Sequence, residues 1–149
     1  MDVMRIILLI LQFVIAAGAL FGGIACIIDP TEPLGAPVSM LAGSIFSSFL
    51  IPGIILATVL GIGNLFGAIA VAKRFWAQGA IIGVLGLAMI IWIVVQVIVI
   101  KSIVFPHILF LCIGVAQTLI GYLLVSNVKD FVLHCKKLLS KVLRLPTGQ

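Results

Sequence analysis

A chain of 149 residues, 64% apolar and only 9% charged, with a mean hydropathy of +1.45, cannot cover a water-facing surface. Soluble domains carry about 25% charged residues, so these values exclude a water-soluble globular domain and leave lipid as the solvent for most of the chain. The net charge of +5 is unevenly placed, and its placement bears on topology rather than on nucleic acid, for which no recognition module or aromatic platform is present.

Crossing a hydrocarbon core takes about 20 apolar residues in a helix. The first such stretch, residues 6–28, ends at Asp29-Pro30. It is too long for a signal-peptide core and has no convincing small-residue cleavage site before Asp29, so it is expected to remain as a span. The segment that follows, "DPTEPLGAPVSMLAG", holds Pro30, Pro33 and Pro37. Each proline fixes its own φ, which predicts a stiff, extended loop that serves as a cover over one end of the bundle or as a plain connector.

"GSIFSSFLIPGIILATVLGIGNLFGAIAVAKR", residues 43–74, reads as one long helix interrupted by Pro52. Residues 52–72 already make a complete crossing before Lys73-Arg74. Proline lacks an amide hydrogen and is accommodated in a first helical turn. The favoured reading starts the span at Pro52 and lays the serines and aromatics before it, in an outer segment 29–51, at the interface. A continuous tilted helix from Ser44, kinked at Pro52, is the rival. The third span, about 77–100, contains "IIWIVVQVIVI", with Gln96 one turn beyond Trp92. The fourth, about 106–125, begins at Pro106, a favoured first helical position.

Helices in lipid gain little from burying one another's apolar surface, so close packing through small residues and scarce hydrogen bonds must hold them. Small residues recur at four-residue spacing in Gly18/Gly22, Gly53/Ala57/Gly61, Gly63/Gly67 and Gly79/Gly83. Gln12, Asn64 and Gln117 are the polar side chains expected inside the bundle. An amide in hydrocarbon needs a partner, so they predict interhelical bonds or, alternatively, a polar cavity.

The tail 127–149 changes character. Val128, Phe131, Val132, Cys135, Leu138, Leu139 and Val142 repeat on one helical face. Lys129, Lys136, Lys137, Lys141 and Arg144 lie mainly elsewhere. That pattern predicts a basic amphipathic helix on a surface of anionic lipid, or one docked on a protein partner. Eight of the nine basic residues share one side, Lys101 being the exception. Lysine and arginine favour the cytoplasmic side, which predicts a multi-pass protein of a cytoplasmic membrane with both termini inside.

Chemistry is sparse. No Asp, Glu, Lys or Arg lies within the interior of a span, which argues against an exporter built on a membrane-embedded carboxylate. His107, with Asp29, Glu32 and Lys101, makes a candidate outer polar cluster. Cys26, Cys112 and Cys135 have no CxxC or metal-ligand spacing and read as small apolar side chains. No catalytic set, metal site or cofactor motif is identified.

The order "DP…PLGAPVSML…GSIFSSFLIPG", the glycine-rich second span ending in "AKRFWA", and "IWIVVQVIVI" resemble the small four-helix bacterial membrane proteins grouped as DoxX-like or placed in uncharacterised families. The likeness covers roughly residues 5–125. It implies a compact four-helix bundle in a bacterial cytoplasmic membrane, in some relatives tied to redox complexes, and it carries over no catalytic residue.

The expectation is therefore an all-α integral membrane four-helix bundle, residues 1–126, with a C-terminal amphipathic surface helix. Its expected role is non-enzymatic: binding a lipid, a hydrophobic ligand or a membrane-protein partner. The candidate site comprises Phe46, Phe49, Pro52, Trp92, Gln96 and His107. The alternatives are an oligomeric transporter or channel lined by Asn64, Gln96 and Gln117, and a subunit of a membrane redox complex. A membrane enzyme using Cys26 or His107 ranks third.

Overall fold

The computed structural model describes residues 3–125 and 128–143. Arg144 lies outside the described residues, as does the Lys129 side chain. All regular structure among the described residues is helical: α1 (Val3–Ile28), α2 (Leu50–Ala72), α3 (Gln78–Ile100), α4 (Phe105–Val125) and α5 (Val128–Leu143), with two short 3₁₀ turns between α1 and α2. Helices α1 to α4 are long and apolar enough to cross a membrane. Their outward faces carry exposed Ile, Leu, Val and Phe side chains, the arrangement expected of a surface solvated by lipid.

Helix α2 begins at Leu50, so Pro52 sits in its first turn, where its missing amide hydrogen leaves no intrahelical bond unmade. Residues Ser44 to Phe49 are not helical. The Ser44 hydroxyl accepts the Phe46 amide at 3.1 Å, and the Phe49 amide donates to the Pro30 carbonyl at 2.9 Å. The second of these bonds ties the start of α2 to the end of α1. Between them the loop is less extended than its prolines suggest: it coils into 3₁₀ turns at Pro33–Gly35 and Val38–Leu41. Leu34, at φ 53°, and Gly43, at φ 84°, make the reversals. Pro33 and Leu41 are buried by this coiling.

The middle of α2, Leu56–Ile62, winds as a π-helix. Widened turns of this kind are uncommon and occur often beside functional sites. The C-terminus of α2 is closed in two ways. Phe75 and Arg74 amides return to Ala70 and Val71 carbonyls, at 2.9 and 3.2 Å, with Arg74 left-handed at φ 52°. This is a Schellman closure with arginine where glycine is usual. Arg5 of α1 then donates through Nη2 to the carbonyls of Val71 and Ala72, placing a cation at the negative end of the helix.

The bundle is built from two close helix pairs, α1 with α2 and α3 with α4, and each pair meets backbone to backbone. At Gly23 a Cβ would lie 2.7 Å from the Ala57 amide nitrogen and 2.8 Å from the Gly53 carbonyl oxygen. At Gly121 it would lie 2.5 Å from the Gly83 amide nitrogen, and at Gly86 2.6 Å from the Thr118 amide nitrogen. Small residues thus serve contact within the bundle, as small-residue stripes do in lipid. The two pairs join through two apolar layers. One contains Leu8, Val71 and Ile82, near the Lys73-Arg74 turn, and the other Ile15, Ala19, Leu60, Met89 and Ile93.

Candidate functional site

Between the two apolar layers, along α1, α2 and α4, lie three fully buried amides: Gln12, Asn64 and Gln117. Asn64 Nδ2 donates to the Leu60 carbonyl at 2.7 Å, one turn back on its own helix, and its Oδ1 accepts Gln117 Nε2 at 2.8 Å. Gln12 stands near Gly67, where only the lack of a Cβ makes room: one placed there would lie 2.7 Å from Gln12 Oε1. Neither end of the Gln12 amide, nor Gln117 Oε1, has a partner among the described residues. Two of the three amides are thus joined across helices, and the third is packed without a bond.

The other polar group of the interior lies nearer the end carrying the 29–49 loop. Two adjoining cavities, of about 210 and 150 Å³, share Leu56, Trp92 and Gln96 in their walls. The larger is bounded by Phe46, Phe49 and Pro52 at the start of α2, by Cys26 of α1, and by Leu34 and Leu41 of the coiled loop. The smaller is bounded by Gly18, Met89, Phe110 and His107. All six candidate residues therefore lie around this pair of cavities, with Trp92 and Gln96, one helical turn apart, common to both.

Each element places its side chains for a local reason. The bond from Phe49 to Pro30 and the first turn of α2 hold Phe49 in the wall of the larger cavity, which Phe46 also lines. The π-turn starts at Leu56, which faces both spaces. On α4, the Val104 amide donates to His107 Nδ1 at 3.3 Å, holding the ring at the helix start. With Nδ1 accepting, a neutral imidazole carries its hydrogen on Nε2. The Trp92 indole N–H is buried and has no acceptor among the described residues; a donor so placed costs about 1–3 kcal/mol by protein mutational data.

Of four further wall residues, the sequence marks Cys26 only for a catalytic reading and does not single out Leu34, Leu41 or Leu56. Nothing in an apolar run marks which of its members faces a void, and only the coiling of the loop and the widened turn of α2 bring these four together.

The outer polar cluster does not assemble around His107. Asp29 instead folds onto its own loop: its Oδ1 accepts the Thr31 hydroxyl at 2.8 Å and the Thr31 and Glu32 amides at 3.1 Å each. The Thr31 hydroxyl, followed by the two amides, holds the Asp29 carboxyl below the usual aspartate range. Lys101 ends α3 in a left-handed conformation at φ 55° and is exposed. No group of His, Cys, Asp and Glu suited to a metal ion occurs among the described residues. In the tail, Lys136, Lys137 and Lys141 are exposed on α5, and His134 packs against Trp76 of the α2–α3 turn with ring centroids 4.5 Å apart and the planes tilted by 38°.

Comparison of the chain with protein-family models, curated proteins and solved structures finds no match. The functional reading therefore stands on the site itself.

Proposed function

We propose that this is a non-enzymatic integral membrane protein that holds a lipid or another hydrophobic ligand in the paired cavities beside Trp92 and Gln96. The observation that carries the reading is the junction of an apolar, loop-covered space with a few polar groups, the usual composition of a small-molecule site. The DoxX-like resemblance belongs to the same proposal, as does its setting: a bacterial cytoplasmic membrane with the loop end outside and both termini in the cytoplasm. The supporting fact is the gathering of Arg5, Lys73, Arg74 and the tail lysines at the other side. Helix α5 then lies on the inner leaflet, its lysines drawn to anionic lipid.

Transport through a polar path lined by Asn64, Gln96 and Gln117 draws less support. Asn64 and Gln117 are fully buried and bonded to one another, whereas Gln96 lines the cavities.

Native mass spectrometry of the protein released from lipid nanodiscs tests the reading. A defined lipid or apolar molecule retained by the wild type, and lost when Gly22→Phe fills the larger cavity, is the expected result. A protein released bare would refute it.

A further inference from the structure

The smaller cavity reaches the seam between α1 and α4. Its walls include Gly18 of α1 and, opposite, Pro106, His107 and Phe110 of α4. A Cβ at Gly18 would lie 2.8 Å from the tip of the Phe110 ring, so the ring rests on the glycine and spans the seam. Val14 and Phe21, on the same stripe of α1 as Gly18, are exposed, as are Pro106 and Leu109 beside Phe110. Exposed apolar surface of this kind faces hydrocarbon in a membrane. A single partly buried ring therefore stands between the cavity and the acyl chains outside it.

This seam is the least firmly closed side of the cavities. Close glycine contacts join α1 to α2 at Gly23 and α3 to α4 at Gly121, and the Asn64–Gln117 bond ties α2 to α4. Among the described residues no hydrogen bond crosses from α1 to Pro106, His107 or Phe110. The loop end is held by backbone bonds instead: Ala36 to Pro33 at 2.9 Å, Ala42 to Ser39 at 3.1 Å and Phe49 to Pro30 at 2.9 Å. Entry there requires the loop to uncoil, whereas entry at the seam requires one side chain to change rotamer, a far faster motion.

The walls also limit what enters. Neither cavity has Asp, Glu, Lys or Arg among its described residues, so a charged headgroup drawn inside would lose its hydration with no opposite charge to replace it. An apolar cavity of about 150 Å³ takes a single benzene ring, and the smaller cavity is of that size. It has room for one hydrocarbon chain and not for two side by side.

We infer that the site admits one hydrocarbon chain of a membrane amphiphile sideways from the bilayer, between α1 and α4, with Phe110 on Gly18 as the gate and the headgroup left outside at the interface. This rests on the ligand-binding reading above and adds the entry route and the part of the ligand that enters.

The test uses the full chain in liposomes with Trp76→Phe, which leaves Trp92, a wall residue of both cavities, as the one tryptophan. Dibromostearate is added by stopped flow, and its bromines quench tryptophan on contact. Partition into the bilayer gives a fast phase, and a chain passing the gate gives a slower one. Phe110→Ala should speed the slow phase about tenfold, the effect of removing ~1.4 kcal/mol from a barrier. Phe110→Leu, the milder change should Phe110→Ala not fold, should speed it less. Gly18→Leu, which fills the seam, should abolish it, and Asp29→Ala, in the loop, should leave it unchanged. In a second arm, phosphatidylcholine brominated on one chain should quench Trp92 more in this background than with Gly18→Leu added, which identifies bilayer lipid as a source. Equal quenching there, with the slow phase intact in the first arm, identifies a free single-chain amphiphile. A slow phase indifferent to the Phe110 and Gly18 variants, or speeded by Asp29→Ala instead, would overturn the side entry and leave the binding reading in place. So would the absence of a slow phase while native mass spectrometry still finds a bound molecule. No slow phase and a protein released bare would overturn both.

Discussion

Gln117 of α4 donates its side-chain N–H to the Asn64 oxygen of α2 across 2.8 Å, with both residues fully buried. The bond joins the two close helix pairs at the polar layer between the apolar ones. Removing either partner leaves the other buried and unsatisfied, whereas removing both leaves two apolar groups. Asn64→Leu and Gln117→Leu are each expected to destabilise the bundle by about 1–2 kcal/mol. The double variant should cost less than the sum, with a coupling of about 0.6 kcal/mol and at most about 1.7. Reversible unfolding in mixed micelles, run as a double-mutant cycle, measures this. Strict additivity would show that the two amides do not act as a pair.

Gln12 provides the opposite case. Its amide is as deeply buried, yet no protein group bonds to either end among the described residues. Methionine has a similar length and no amide to satisfy. Gln12→Met is expected to raise stability by about 1 kcal/mol in the same unfolding assay. A loss of stability would mean that the amide is satisfied in the membrane by a group such as an internal water.

How far the sequence foretells this architecture depends on which interaction decides each feature. The four long apolar helices are legible because their lengths are set by the hydrocarbon thickness, and the buried amides because polar side chains in such runs are few. Trp92, Gln96 and His107 stand out for the same reason. The walls of the cavities are not legible in this way, because nothing in an apolar run distinguishes Leu56, where the π-turn starts, from its neighbours. Arg5 is readable as a topological charge, but its bonds to the end of α2 depend on the pairing of two helices far apart in sequence. The four-residue stripes point to close contact without saying which glycine bears it. Gly23, absent from those stripes, meets the Ala57 backbone, whereas Gly83 has free space where its own side chain would be.

That distinction gives a graded test of the glycines. A Cβ at Gly83 would meet nothing within 4 Å, so Gly83→Ala should be neutral or slightly stabilising, since alanine is the better helix former. A Cβ at Gly121 would lie 2.5 Å from the Gly83 nitrogen and 2.7 Å from its Cα, and backbone cannot move aside as a side chain does. Gly121→Ala is expected to cost about 1–3 kcal/mol, the usual scale of overpacking. Gly67→Ala should fall between, because the obstructing atoms are the ends of the Gln12 and Leu85 side chains. Equal effects at the three positions in thermal unfolding would disprove the proposed helix contacts.

Arg5 should behave as a helix cap and not only as a charge. Its guanidinium reaches the Val71 and Ala72 carbonyls, the last of α2. Arg5→Lys retains the positive charge but not the planar pair of donors, and Arg5→Gln removes the charge as well. The expected order of stability is Arg, then Lys, then Gln, with the last down by about 1–2 kcal/mol. Faster hydrogen exchange at the C-terminal turn of α2 in Arg5→Gln, with α4 unchanged, would localise the effect.

The loop that covers the larger cavity carries a pH-sensitive tie. Asp29 accepts the Thr31 hydroxyl and two amides, and these bonds hold its carboxyl more acidic when folded than in the unfolded chain. A depressed carboxyl favours the folded form at pH above its unfolded value, and that contribution is lost as pH falls through the folded one. The loop should therefore be unaffected between neutral pH and about pH 5, and loosen as pH passes down through and below the ordinary aspartate value of about 3.9. Hydrogen exchange at the Thr31 and Glu32 amides, corrected for the intrinsic pH dependence, reads the change directly. Protection should fall with acid in the wild type. In Asp29→Ala the same amides should be less protected at neutral pH and respond little to acid, while Phe49, tied to Pro30, keeps its protection in both. An acid response that survives Asp29→Ala would assign the tie to another group.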